Sequence, residues 1–154
     1  MKDRLDSVVY MWISFGLILI AVLVMFVPLY AAEGQVFSAT NNGGFFGNAV
    51  HEGAWPSFIG YMLILVGGLA TGVLALPMIE PSYQLEKLVL IIASALEFLG
   101  VGLVMTSVVW YCILNGQPEL ITHSGYYLMA GSYITLSFAT LAICCNARAI
   151  FLDR

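Results

Sequence analysis

The chain has 154 residues, of which 61% are hydrophobic and 9% charged, and its mean hydropathy is +0.96. A soluble domain carries about 25% charged residues, so this composition excludes a water-exposed globule and points to an integral membrane protein. A formal charge of −4 with five basic residues excludes nucleic acid, whose phosphates need Lys and Arg to neutralise them, and also a broad basic surface for anionic lipid.

Four apolar runs reach the roughly 20 residues that a helix needs to cross a bilayer core. The first spans residues 8–30, behind Lys2 and Arg4. Its length exceeds the 7–15 residues or so of a signal-peptide core, so it is predicted to be a retained helix. An outer loop, residues 31–57, follows. Its Gly, Asn and Ser favour turns over regular elements, and no strand is expected anywhere in the chain. Val36, Phe37, Phe45, Phe46, Val50 and Trp55 nevertheless make this loop too apolar to stand free. It is expected to fold over the outer helix ends or to meet a partner.

The second span, residues 58–79, contains GGLATG, in which Gly68 and Gly72 form a small-residue face that lets backbones approach. A short connection then makes spans two and three antiparallel neighbours. The third span, residues 88–114, holds Glu97, the only formally charged residue inside the four runs. Glu97 lies ten residues beyond Lys87, about 15 Å along a helix, which places it near the bilayer midplane. An ionised acid there costs at least a few kcal/mol, so it is expected to face the bundle and find partners. No Lys, Arg or His is expected at matching depth, which leaves the hydroxyls of Ser137 and Thr71 as its partners. Ala93, Ser94 and Gly100 surround it on the same helical face and are assigned to helix packing.

The second outer loop covers residues 115–125 and the fourth span residues 126–147. In that span Tyr133, Ser137, Thr140 and Cys144 form one polar stripe, expected to point into the bundle. Cys144 and Cys145 are read as small packing residues, with palmitoylation as the other use of such a pair.

All five basic residues, Lys2, Arg4, Lys87, Arg148 and Arg154, fall on one side of this four-span arrangement. The positive-inside rule makes that side cytoplasmic and places both termini there. The two halves share short matches: Leu23-Val24-Met25 with Leu103-Val104-Met105, Gly34-Gln35 with Gly116-Gln117, and His51 and Gly53 with His123 and Gly125. These raise a parallel two-fold internal repeat, against chance matching in Leu/Val-rich helices. The absence of N-x-Ser/Thr sequons and of outer cysteines leans toward a bacterial cytoplasmic membrane.

Chemistry is sparse. His51, Glu52, Glu119 and His123 share the outer side, but no HExxH or CxxC spacing occurs, so neither a metal nor another cofactor is expected. No Ser or Cys has a nucleophile's setting, and an enzyme is not expected. The expected fold is an all-α integral membrane protein, a four-helix transmembrane bundle. The expected function is a non-catalytic subunit or accessory protein of a larger membrane assembly. Its partners would be membrane lipids with other membrane subunits or further copies of itself. The alternative is a small oligomeric transporter or channel in which Glu97 binds a proton or cation.

Overall fold

The computed structural model describes residues 2–40, 55–79 and 81–152. Four helices in it are long and apolar enough to cross a membrane. They are α1 (Lys2–Leu23), α2 (Trp55–Leu74), α3 (Tyr83–Met105) and α5 (Ala130–Leu152), with a short α4 (Ser107–Leu114) continuing α3. Each long helix packs on two neighbours: α1 on α2 and α5, and α3 on the same two. One cluster unites Met11, Leu74, Leu90 and Ala149, which come from the start of α1, the end of α2, the start of α3 and the end of α5. The helices therefore run alternately up and down, with the first and last residues of the bundle at one end.

Local chemistry sets the helix limits. Val27 precedes Pro28, and a residue before proline is driven out of the helical region; Val27 is extended, with φ −88 and ψ 149. The helical path thus ends in a 3-10 turn at Val24–Phe26, short of the expected Tyr30. Ser82 caps α3, its Oγ accepting from the Leu85 amide at 3.4 Å, so α3 starts at Tyr83 rather than near Leu88. Its regular run closes at Thr106, whose hydroxyl turns back on Gly102 O at 2.7 Å.

Three short strands close the end of the bundle opposite the termini, where none was expected. They are β1 (Tyr30–Ala32), β2 (Gln35–Phe37) and β3 (Tyr127–Leu128), in the order β2-β1-β3 and antiparallel throughout. The turn between β1 and β2 has two residues, Glu33 and Gly34, with φ of 53 and 74. Positive φ at both centres is what a tight hairpin matching strand twist requires. β3 takes residues assigned from sequence to the fourth span, and α5 starts only at Ala130. The sheet is pinned to α5 by Met129 N on Leu29 O at 2.7 Å and Gly131 N on Pro28 O at 3.0 Å. A Cβ at Gly131 would sit 2.5 Å from that same oxygen, so only glycine fits there.

Beneath the sheet Tyr30 stacks on Phe37 with ring centroids 5.1 Å apart, and both rings meet Tyr111. The Tyr30 hydroxyl is buried with no hydrogen-bond partner. Burial, then the neighbouring Tyr111 and Cys112, hold it well above the ordinary tyrosine range. A buried unsatisfied hydroxyl costs about 1–3 kcal/mol. Tyr30→Phe is accordingly expected to raise the thermal midpoint in detergent, and a lower midpoint would show that the hydroxyl has a partner. The segment carrying Phe45, Phe46, Val50, His51 and Glu52 lies outside the described residues.

Candidate functional site

The interior of the bundle is built on close backbone approach between α2 and α3. Gly60 faces Gly100, and one heptad along each antiparallel helix Gly67 faces Ala93. A Cβ at Gly67 would stand 2.7 Å from Ala93 O and 2.8 Å from Glu97 Cγ, so α2 presses directly on the Glu97 side chain. Gly68 and Gly72 turn instead to α1, where Ile18 and Phe15 fill the space beside them.

Glu97 is fully buried, at 0% exposure. Its partner is Asn146 of α5, also at 0%. The Asn146 amide nitrogen donates toward Glu97 Oε2 at 3.2 Å and Oε1 at 3.4 Å, and toward Ser94 Oγ at 3.3 Å. One amide group thus ties two residues of α3 to α5, while Asn146 Oδ1 stays buried with no partner. Sequence reasoning missed Asn146 by looking for hydroxyls. An asparagine inside an apolar run was the available signal, because its amide offers two donors to a carboxyl.

The two hydroxyls expected at Glu97 are elsewhere. Ser137 lies on the exposed side of α5 and donates to Tyr133 O at 2.9 Å. Thr71 is buried but donates to Gly67 O at 3.2 Å, one residue layer behind the Glu97 contact. The whole stripe Tyr133, Ser137, Thr140 and Cys144 is exposed, which corrects its expected direction into the bundle. Hydroxyls that bond to the carbonyl four residues back can sit on an outer face, so polarity alone did not identify the interior side. Two residues beyond Asn146 on α5, Arg148 is exposed and lies toward the end of the bundle that holds Asp6 and Leu152.

A second buried acid appears near the bundle end that holds the termini. Glu86, on the first turn of α3, is 5% exposed and accepts from Ser7 Oγ of α1 at 3.2 Å. Glu86 and Glu97 are three turns apart on the same buried side of α3. Against α5, α1 adds Ser14, whose hydroxyl donates to Ala142 O at 3.1 Å. The interior therefore holds isolated polar knots between helices, each joining a different pair. At the opposite end Glu119 lies in a 3-10 segment, Pro118–Thr122, and His123 Nδ1 accepts from Gly125 N at 3.3 Å. Among the described residues no three His, Cys, Asp or Glu side chains gather where a metal could be held.

Four apolar helices packed through small residues, with a strand cap and a buried acid–amide pair, define a helical bundle compatible with a membrane. No family model, curated protein or solved structure matches the chain significantly.

Proposed function

We propose that this chain is a non-catalytic subunit of a larger membrane assembly, crossing the bilayer four times with both termini on the cytoplasmic side. The observation that carries this reading is the outward stripe of α5. Tyr133, Ser137, Thr140 and Cys144 recur at helical spacing on one exposed face of a helix long enough to span. Ser137 is satisfied within its own helix, but lipid tails offer nothing to the Tyr133 phenol, and an adjacent helix could pack on this small, polar face and share its hydroxyls through interhelical hydrogen bonds. The orientation rests on Lys87 and Arg148, which stand at the end of the bundle where α1 begins, together with the positive-inside rule. A bacterial cytoplasmic membrane fits the lack of any N-x-Ser/Thr sequon.

A second reading is favoured by one observation, the unpartnered Asn146 Oδ1 beside a fully buried acid. An oligomeric transporter or channel with Glu97 as a proton or cation site would use such a spare acceptor.

One experiment separates the two. The full chain is purified in mild detergent as wild type, as Ser137→Leu/Thr140→Leu, and as Glu97→Gln. The subunit reading expects a co-purifying membrane protein that the outward double variant loses severalfold while keeping its thermal midpoint. It also expects no flux change with Glu97→Gln in liposomes. Recovery of a homo-oligomer alone, with flux abolished by Glu97→Gln, overturns it in favour of transport. Orientation is read by thiol labelling of Gln35→Cys and Gln84→Cys in a cysteine-free chain; both reacting from one side refutes four crossings.

A further inference from the structure

At the end of the bundle that holds the termini, α1 and α5 leave a groove of about 420 Å³ between them. It is lined by Asp6, Val9, Tyr10, Ile13, Arg148 and Leu152. One acid and one base share this groove, and both are exposed. Opposite charges so placed would ordinarily close on each other, yet no ion pair joins them among the described residues. The helix register shows why. Ser14 of α1 bonds to Ala142 O of α5, and counting six residues along each antiparallel helix sets Arg148 beside Val8. Asp6 is then two residues, roughly 3 Å, nearer the open end. Side chains on a helix tilt toward its N-terminus, so Asp6 leans outward and Arg148 leans inward, which widens the gap.

We infer that this groove binds one phospholipid whose headgroup carries a primary ammonium, of the phosphatidylethanolamine type. This rests on the membrane reading above but not on the subunit reading. Along such a headgroup the phosphate lies next to the acyl chains and the ammonium lies farther out. The groove repeats that order. Arg148, deeper, presents the fork of donors that fits a phosphate, with the Tyr10 phenol beside it. Asp6, farther out, accepts from the ammonium. Val9 and Ile13 continue the α1 side toward the middle of the bundle and offer the apolar wall that an acyl chain needs. A quaternary choline headgroup has no N–H for Asp6. An anionic glycerol headgroup has no cation for it at all. Both are therefore disfavoured by the outer acid rather than by the inner base, and this choice by repulsion or lack of a partner is how specificity is commonly built.

The test uses the full chain in detergent, supplemented in turn with phosphatidylethanolamine, phosphatidylcholine or phosphatidylglycerol of matched acyl chains. Retained lipid is counted by native mass spectrometry. Wild type is expected to keep one phosphatidylethanolamine in preference to the other two. Arg148→Gln is expected to lower that retention by roughly tenfold, the loss of one charge-assisted contact. Asp6→Asn is expected to abolish the preference between headgroups while lipid is still held. Equal retention of all three lipids by wild type, or retention unchanged in both variants, overturns the proposal. So does displacement by free phosphoethanolamine, which would make the site one for a soluble phosphate, and so does a homodimer that Arg148→Gln dissociates without loss of lipid. Flotation with vesicles of phosphatidylcholine is read in parallel. Failure to float removes the membrane reading itself, whereas floating without headgroup preference removes only the lipid site.

Discussion

Asn146→Leu is expected to be the most damaging substitution of matched skeleton on α5, costing about 3 kcal/mol, where the ranges for an unsatisfied buried group and a broken buried pair meet. Leucine keeps the branched heavy-atom skeleton of asparagine, with somewhat bulkier methyl groups, but removes the amide that reaches Glu97 Oε2, Glu97 Oε1 and Ser94 Oγ. The acid is left at 0% exposure with its donor gone, and α2 presses on it through Gly67, so it has no room to turn toward water. Chemical denaturation in detergent micelles measures the loss. An Asn146→Leu chain as stable as wild type would show that the amide does not hold Glu97.

The companion variants separate structure from function. Glu97→Leu removes the acid and strands the amide, which keeps Ser94, so its cost is expected to be smaller. Glu97→Leu/Asn146→Leu replaces both groups by apolar ones, an exchange that is often near neutral when a buried polar pair is removed whole. The double-mutant cycle is therefore expected to show strong favourable coupling. With stability restored in the double variant, a loss of flux would belong to transport chemistry, and unchanged co-purification of a partner would belong to the subunit reading.

The long helices were legible because apolar runs of sufficient length leave little else for a chain to do in lipid. Their ends were not, because hydropathy continues past the point where backbone geometry stops. Pro28 forces Val27 extended, and the apolar Leu29 then leads into the strand that starts at Tyr30 rather than continuing a helix. Tyr127 and Leu128 read as the start of a span for the same reason, and only their pairing with Ala31 and Tyr30, far away in sequence, makes them a strand. The hairpin was hidden by Glu33, which adopts a left-handed conformation that glycine or asparagine more often signals. Glu97 itself was visible as a lone charge, but its partner depended on the register of α3 against α5, a tertiary fact. Glu86 was passed over because the start of α3 was read as loop, although Ser82 before it is a favourable N-cap residue.

Gly100→Val is expected to prevent the native bundle from forming at all. A Cβ at Gly100 would collide with Gly60 O and stand 2.7 Å from Ile64 Cγ1. The reciprocal Cβ at Gly60 would be 2.7 Å from Gly100 O, so each glycine is set against the other's backbone. Overpacking that a flexible side chain can absorb costs about 1–3 kcal/mol, but a backbone carbonyl in a helix cannot move without shifting the helix. Separating α2 from α3 at this point also lifts Gly67 from Ala93 and from Glu97 one heptad away, so the loss spreads to the polar knot. The expected result is aggregation on extraction for Gly100→Val and an intermediate midpoint for Gly100→Ala. Gly102→Ala provides the control, since a Cβ there meets nothing within 4 Å, and alanine also favours helix by about 1 kcal/mol over glycine. If Gly100→Val purified as a monodisperse protein with the wild-type midpoint, the close α2–α3 seam, and with it the confinement of Glu97, would be wrong.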